Sequence, residues 1–125
     1  MNYLAIGLGG FVGAIARYGL SGFAHRMSSS GFPLGTLVVN ALGCLLIGAL
    51  AWCIEDRQMF SDNVRLLLRV GFLGSFTTFS TFGFETIELL KNDQWAAAIT
   101  SIAANVVFGL LAVVGGWAGA KALLG

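Results

Sequence analysis

Between Met27 and Ile54 the chain carries no formal charge, and residues 94–120 are again uncharged. Each run exceeds the ~20 apolar residues that take a helix across a bilayer. A segment in hydrocarbon must satisfy its own backbone hydrogen bonds, so such runs commit the chain to membrane-spanning helices. Composition agrees: 57% of the 125 residues are hydrophobic, 10% are charged, and the mean hydropathy is +0.84. Soluble domains of this size are not so apolar. The N-terminal run holds one charge, Arg17. A shorter run, Val70 to Phe84, lies between Arg69 and Glu85 and must extend past both to span. The reading is all-α, with four spans at about 2–24, 33–54, 63–90 and 95–122. They form a single domain over residues 1–125, without room for a soluble catalytic module. The first segment lacks a basic leader and has Arg17 where a signal peptide would stay apolar.

With four spans, the N-terminus, the 55–62 loop and the C-terminus share one side. Arg57, Arg65, Arg69 and Lys121 lie near it, and Arg17, Arg26 and Lys91 lie near the other. Four cations against three is almost no positive-inside bias. Either loop details decide the orientation, or the chain inserts both ways and pairs as an antiparallel homodimer. The second reading is favoured, because one four-helix chain can hardly enclose a pore.

Gly71-Phe72-Leu73-Gly74-Ser75-Phe76-Thr77-Thr78-Phe79-Ser80-Thr81-Phe82 is the most unusual stretch. Its glycines weaken a helix, and its hydroxyls compete for the backbone ladder. Short, glycine-interrupted spans point to helices broken within the membrane, where freed backbone lines a cavity or binds an ion. Phe76, Phe79 and Phe82 recur every three residues and would share one face of an unbroken helix. A packed aromatic stripe beside back-bonded hydroxyls is the plainer alternative.

Other features are read in chain order. Gly9 and Gly13 form a GxxxG pair that lets helices approach closely; no strand precedes them, so they are not a dinucleotide loop. Arg17 either snorkels or serves as a vestibule charge that attracts anions. His25 has no partner at metal-ligand spacing. Thr36 and Asn40, four apart, share a helix face; Asn40 either bonds a neighbouring helix or offers its amide to an anion. Cys44 and Cys53 are free thiols too far apart on one helix to pair. Ser61 or Asp62 can cap the third helix. Arg65 and Arg69 share a face near the entrance, and Glu85 can approach a water-filled path. Trp52, Trp95 and Trp117 suit interfacial belts. Thr100, Ser101 and Asn105 make a polar stripe, and Gly115 and Gly119 repeat the GxxxG spacing. A net charge of +1 argues against nucleic acid as a partner. With no nucleophile–base pair, metal cluster or phosphate loop, an enzyme is not expected.

The glycine-rich first span with Arg17, the Gly35–Asn40 stretch and the Gly71–Phe82 stretch together resemble the Fluc (CrcB) family of bacterial fluoride channels. Thr77-Thr78-Phe79-Ser80-Thr81-Phe82 is the most specific of these motifs. The resemblance covers essentially the whole chain. It implies a dual-topology antiparallel homodimer in the bacterial inner membrane, with two pores for passive fluoride export that relieves toxicity. It implies that Asn40, Phe79 and Phe82 line the anion pathway, that Ser80, Thr81 and Thr36 belong to its polar track, and that Glu85 lies nearby. It implies a central sodium ion, structural and not transported, held by the backbone carbonyls of Gly74 and Thr77. The role of Asn105 is left open. The physics is consistent: phenyl rings have positive edges, fluoride needs hydrogen-bond donors, and sodium prefers oxygen ligands. The main rival is a small dual-topology, proton-coupled multidrug transporter. That chemistry needs a carboxylate deep in the first span, whereas Met1 to Arg26 contains no Asp or Glu.

Overall fold

Among the described residues, three helical runs are long and apolar enough to cross a membrane: Asn2–Met27, Leu34–Asp56 and Trp95–Leu124. The computed structural model describes residues 2–125. The first run is helix α1 (Asn2–Met27). The second is α2 (Leu34–Ala51), continued by a π-helical turn, Trp52–Asp56. Another span is assembled from pieces: α3 (Asp62–Arg65), a π-helical stretch Leu66–Leu73, α4 (Gly74–Phe76) and, after two extended residues, α5 (Phe79–Lys91). Helix α6 (Trp95–Leu124) completes the chain. The protein is therefore all-helical, with four spans and a broken third one. Pro33 is the N-cap of α2. Ser61, not Asp62, caps α3, its Oγ accepting the Val64 N–H at 3.4 Å.

The break falls at Thr77–Thr78 and not at either glycine. Gly71 has a packing role: a Cβ there would lie 2.6 Å from the Ile6 carbonyl oxygen and 3.0 Å from the Gly9 Cα. Gly9 and Gly13 face the third span in return, against the backbone of Leu67 and Phe72. The GxxxG pair of α1 thus serves contact within the chain, and side chains at these positions would force the helices apart. The same device joins α2 to α6, where Gly48 abuts the Val113 carbonyl and Gly116 abuts that of Leu45. Gly115 and Gly119, which carry the GxxxG spacing, have nothing within 4 Å of a would-be Cβ. The contact glycine is their neighbour, one residue round the helix.

Val39, Leu73 and Phe76 form the buried centre, packed by Ala16, Leu20, Leu46 and Phe72. Phe76 stacks on Phe72 with ring centroids 5.5 Å apart. The break turns Phe79 and Phe82 away from this core, so the three rings do not share a face. A second cluster, Trp52, Cys53 and Ala120, ties the end of the second span to α6. Trp52 is buried there and is not a belt residue, whereas Trp95 is exposed. The outer face of α1 presents Tyr3, Leu8, Phe11, Ile15 and Tyr18, a surface suited to lipid.

Candidate functional site

A helix break in hydrocarbon orphans carbonyls on one side and N–H groups on the other. Here part of each set finds partners. On the carbonyl side, Thr77 donates to the Leu73 carbonyl through its N–H (3.1 Å) and its Oγ1 (3.0 Å). Arg17 donates its Nε–H to the Ser75 carbonyl at 3.0 Å. Arg17 is thus tied to the third span, which accounts for a charge inside α1. Beyond the break, Thr78 is the N-cap of α5. Its Oγ1 accepts the Thr81 N–H at 3.3 Å and donates to the Thr81 Oγ1 at 3.1 Å.

Thr78 is extended (φ −149°, ψ 118°) and makes its backbone bonds to α2. Its N–H donates to Asn40 Oδ1 at 2.9 Å, and its carbonyl accepts from Asn40 Nδ2 at 3.1 Å. Asn40 Nδ2 also donates to Asn105 Oδ1 at 3.3 Å, and Asn105 Nδ2 donates to the Ser101 carbonyl at 2.8 Å. One polar chain therefore runs from α6 through α2 to the break. Both Asn40 amide protons are engaged within it.

Beside this chain lies an open cleft of about 470 Å³, within the usual size of small-ligand sites. Asn40, Asn105, Thr77, Thr78, Phe79 and Phe82 line it, with Gly43, Cys44, Leu73 and Gly74 along its wall. Gly43 gives room to the Thr77 methyl. Phe79 and Phe82 meet at 5.6 Å with their rings tilted by 55°. Phe79 is 82% exposed, so it stands on the open side. Gly74 is also exposed. Among the described residues, no donor reaches the Gly74 or Thr77 carbonyl. Arg69 is the one charged residue of the lining.

The cleft gathers Asn40, Phe79, Phe82, Gly74 and Thr77 from among the residues singled out in the sequence. Thr36, Ser80, Thr81, Glu85 and Arg17 do not line it. Thr36 is buried on α2 one turn before Asn40, Ser80 is exposed, and Thr81 belongs to the Thr78 cap. Glu85 lies a turn beyond Phe82, its Oε2 3.9 Å from His25 Nε2 and its Oε1 buried without a partner. His25, unpaired by spacing, thus has a tertiary neighbour. Sequence reasoning passed over Thr78 as the pivot and Asn105 as the far end of the polar chain. The run of hydroxyls and the polar stripe on the last span were the available signals.

The profile of the family described as CrcB-like protein, Camphor Resistance (CrcB), matches residues 4–117. A protein of Maridesulfovibrio salexigens named fluoride-specific ion channel FluC is 42% identical over 117 residues, covering 94% of this chain and 93% of its own. A protein of the same name from Chloroflexus aurantiacus is 47% identical over 113 residues, 90% of each chain. One from Methanosarcina acetivorans, fluoride-specific ion channel FluC 1, is 44% identical over 110 residues, 88% of this chain and 83% of its own.

Proposed function

The chain belongs to the CrcB-like family, and on that footing we propose that it is a fluoride-specific ion channel of the membrane and not an enzyme. The observation that carries the reading is one cleft in which amides, hydroxyls and phenyl rings gather beside a broken membrane helix.

Fluoride is small and strongly hydrated, so a path must replace its water with donors and still release it. The cleft offers uncharged groups. Of the two bonds that Asn40 Nδ2 donates, the one to Asn105 is the longer at 3.3 Å and hence the weaker. It is the bond that an arriving anion displaces, while the bonds to Thr78 keep the amide in place. The edges of Phe79 and Phe82 supply positive potential without a permanent charge. Ser80, Thr81 and Thr36 extend the donor track away from the cleft, towards Glu85. Arg17 holds the break and adds a positive field on the same side of α1.

The whole chain acts as a single four-helix domain, and two copies pair in antiparallel fashion. Phe79 and Gly74 lie open in one protomer, and a second copy would cover them. The Gly74 and Thr77 carbonyls fit a sodium ion: they are hard oxygen donors, close in sequence, and lack hydrogen-bond partners. One protomer supplies two such oxygens, and a two-fold-related copy supplies two more. A cation held there would join the protomers and stay in place.

The test is fluoride efflux from liposomes containing the purified protein, followed with a fluoride electrode after potassium permeability is opened with an ionophore. Rapid fluoride release without chloride release is expected. No release, or equal release of both anions, would overturn the reading.

A further inference from the structure

We infer that Arg69 concentrates the anion at one mouth of the cleft, and that Glu55 holds its guanidinium in position and tempers its field. This rests on the channel reading above. Arg69 is the single formal charge in a lining otherwise made of amides, hydroxyls, a thiol, phenyl rings and aliphatic groups. It lies on the stretch of the third span that leads from the 55–62 loop towards the break. Its Nη1 is 3.4 Å from Glu55 Oε1, at the end of the second span, and the pair is partly exposed, with side chains 43% and 61% accessible. The two residues therefore bridge the spans that flank the cleft at this end.

The other cations of this end are committed elsewhere. Arg65 donates its Nε–H to the Phe60 carbonyl at 3.0 Å and pairs with Asp62 at 3.8 Å. Arg57 lies over the Trp52 ring, 5.5 Å from its centroid. Lys121 lies over Trp117 at 5.1 Å. The sequence spacing puts Arg65 and Arg69 on one helix face, but only Arg69, one turn further into the span, reaches the cleft lining, while Arg65 stays bonded at the loop.

A cation at a mouth raises the local anion concentration without holding the ion at the narrow part of the path. Glu55 keeps this cation from becoming a trap. Such an effect is long-ranged, so it must fade as salt screens it; a direct structural role would not.

The experiment measures fluoride efflux from liposomes for wild type, R69Q, R69K and E55Q. Ionic strength is set with potassium glutamate at about 10 mM and about 300 mM, which brackets strong and weak long-range fields. At low ionic strength R69Q should lose roughly fivefold of the initial rate, E55Q should gain, and R69K should stay close to wild type. At high ionic strength the variants should converge. An equal R69Q loss at both salts, no loss at either, R69K behaving as R69Q, or an E55Q loss would overturn the inference. Should R69Q fail to assemble by size-exclusion chromatography, the sign of the E55Q effect decides: a gain that salt abolishes supports it, and anything else overturns it. Absence of flux in the wild type would instead overturn the channel reading itself.

Discussion

The side-chain amide of Asn40 makes a two-bond pair with the backbone of Thr78, its Oδ1 taking the N–H and its Nδ2 giving to the carbonyl. The pattern is that of one rung of an antiparallel ladder, supplied by a side chain. It lets a residue stay extended inside a membrane span without unsatisfied backbone groups. Asn105 secures the rung from the opposite side.

Asn40→Asp should therefore damage structure as well as flux. It removes the Nδ2 donor from the Thr78 carbonyl and sets a negative charge beside it. A loss of about 2 kcal/mol in stability is expected, as for a buried acceptor left unpaired. Asn105→Ala, which removes the bond that secures the rung from the α6 side, should cost about half as much. Thermal unfolding in detergent checks both. Equal melting temperatures for wild type and Asn40→Asp would show that the rung is not a structural tie.

Phe79→Ile and Phe82→Ile should act on flux alone. Phe79 is largely exposed and Phe82 partly so, and the pair stands outside the buried Val39–Leu73–Phe76 cluster. Each variant should elute like wild type and conduct fluoride roughly tenfold more slowly, a loss of ~1.4 kcal/mol from the missing ring edge. Unchanged flux in both would place the anion path elsewhere.

The sodium proposal separates two kinds of substitution. Thr77→Ser keeps the hydroxyl that bonds the Leu73 carbonyl and should be mild. Thr78→Pro should be severe, because proline fixes φ near −65° where Thr78 holds −149°, and it removes the N–H that Asn40 accepts. Replacing sodium with N-methylglucamine should slowly abolish flux, and added sodium should restore it. Persistent flux after verified removal, or radioactive sodium crossing with fluoride, would refute a structural cation at Gly74 and Thr77.

Dual topology is tested by labelling. In a background lacking Cys44 and Cys53, a cysteine placed at either terminus should react from both faces of intact membranes. The four-to-three balance of cations predicts comparable labelling. One-sided labelling would rule out an antiparallel dimer.

Four spans and a break in the third were legible because charge spacing and hydroxyl content are local properties. The level of the break, inside the Gly71–Phe82 stretch near the middle of the span, was legible too; the two residues that carry it were not. Gly71 reads as a helix weakener in isolation, yet its value lies in admitting the backbone of α1, a partner that no local pattern names. Gly115 and Gly119 carry the spacing of a packing motif, but the azimuth of α6 against α2 selects Gly116. His25 stood alone for the same reason: its neighbour Glu85 is sixty residues away in sequence and adjacent only in the fold. Asn40, Phe79 and Phe82 were identified through the motif order and come together in one cleft. Arg65 and Arg69 share a face by spacing, yet only Arg69 lies far enough into the span to line the cleft, which depends on how α2 and α6 pack beside it.

The interruption at Thr77–Thr78 also divides one long helix dipole into two. The half that ends at Phe76 presents its negative, carbonyl pole to the middle of the span, and α5 presents its positive, amide pole to the same level. Opposite partial charges thus meet within a few residues, without an acidic or basic side chain in the residues from Val70 to Phe84. A chain of nearly neutral spans can in this way attract a cation from one direction and an anion from another, using only the direction in which its peptide groups point.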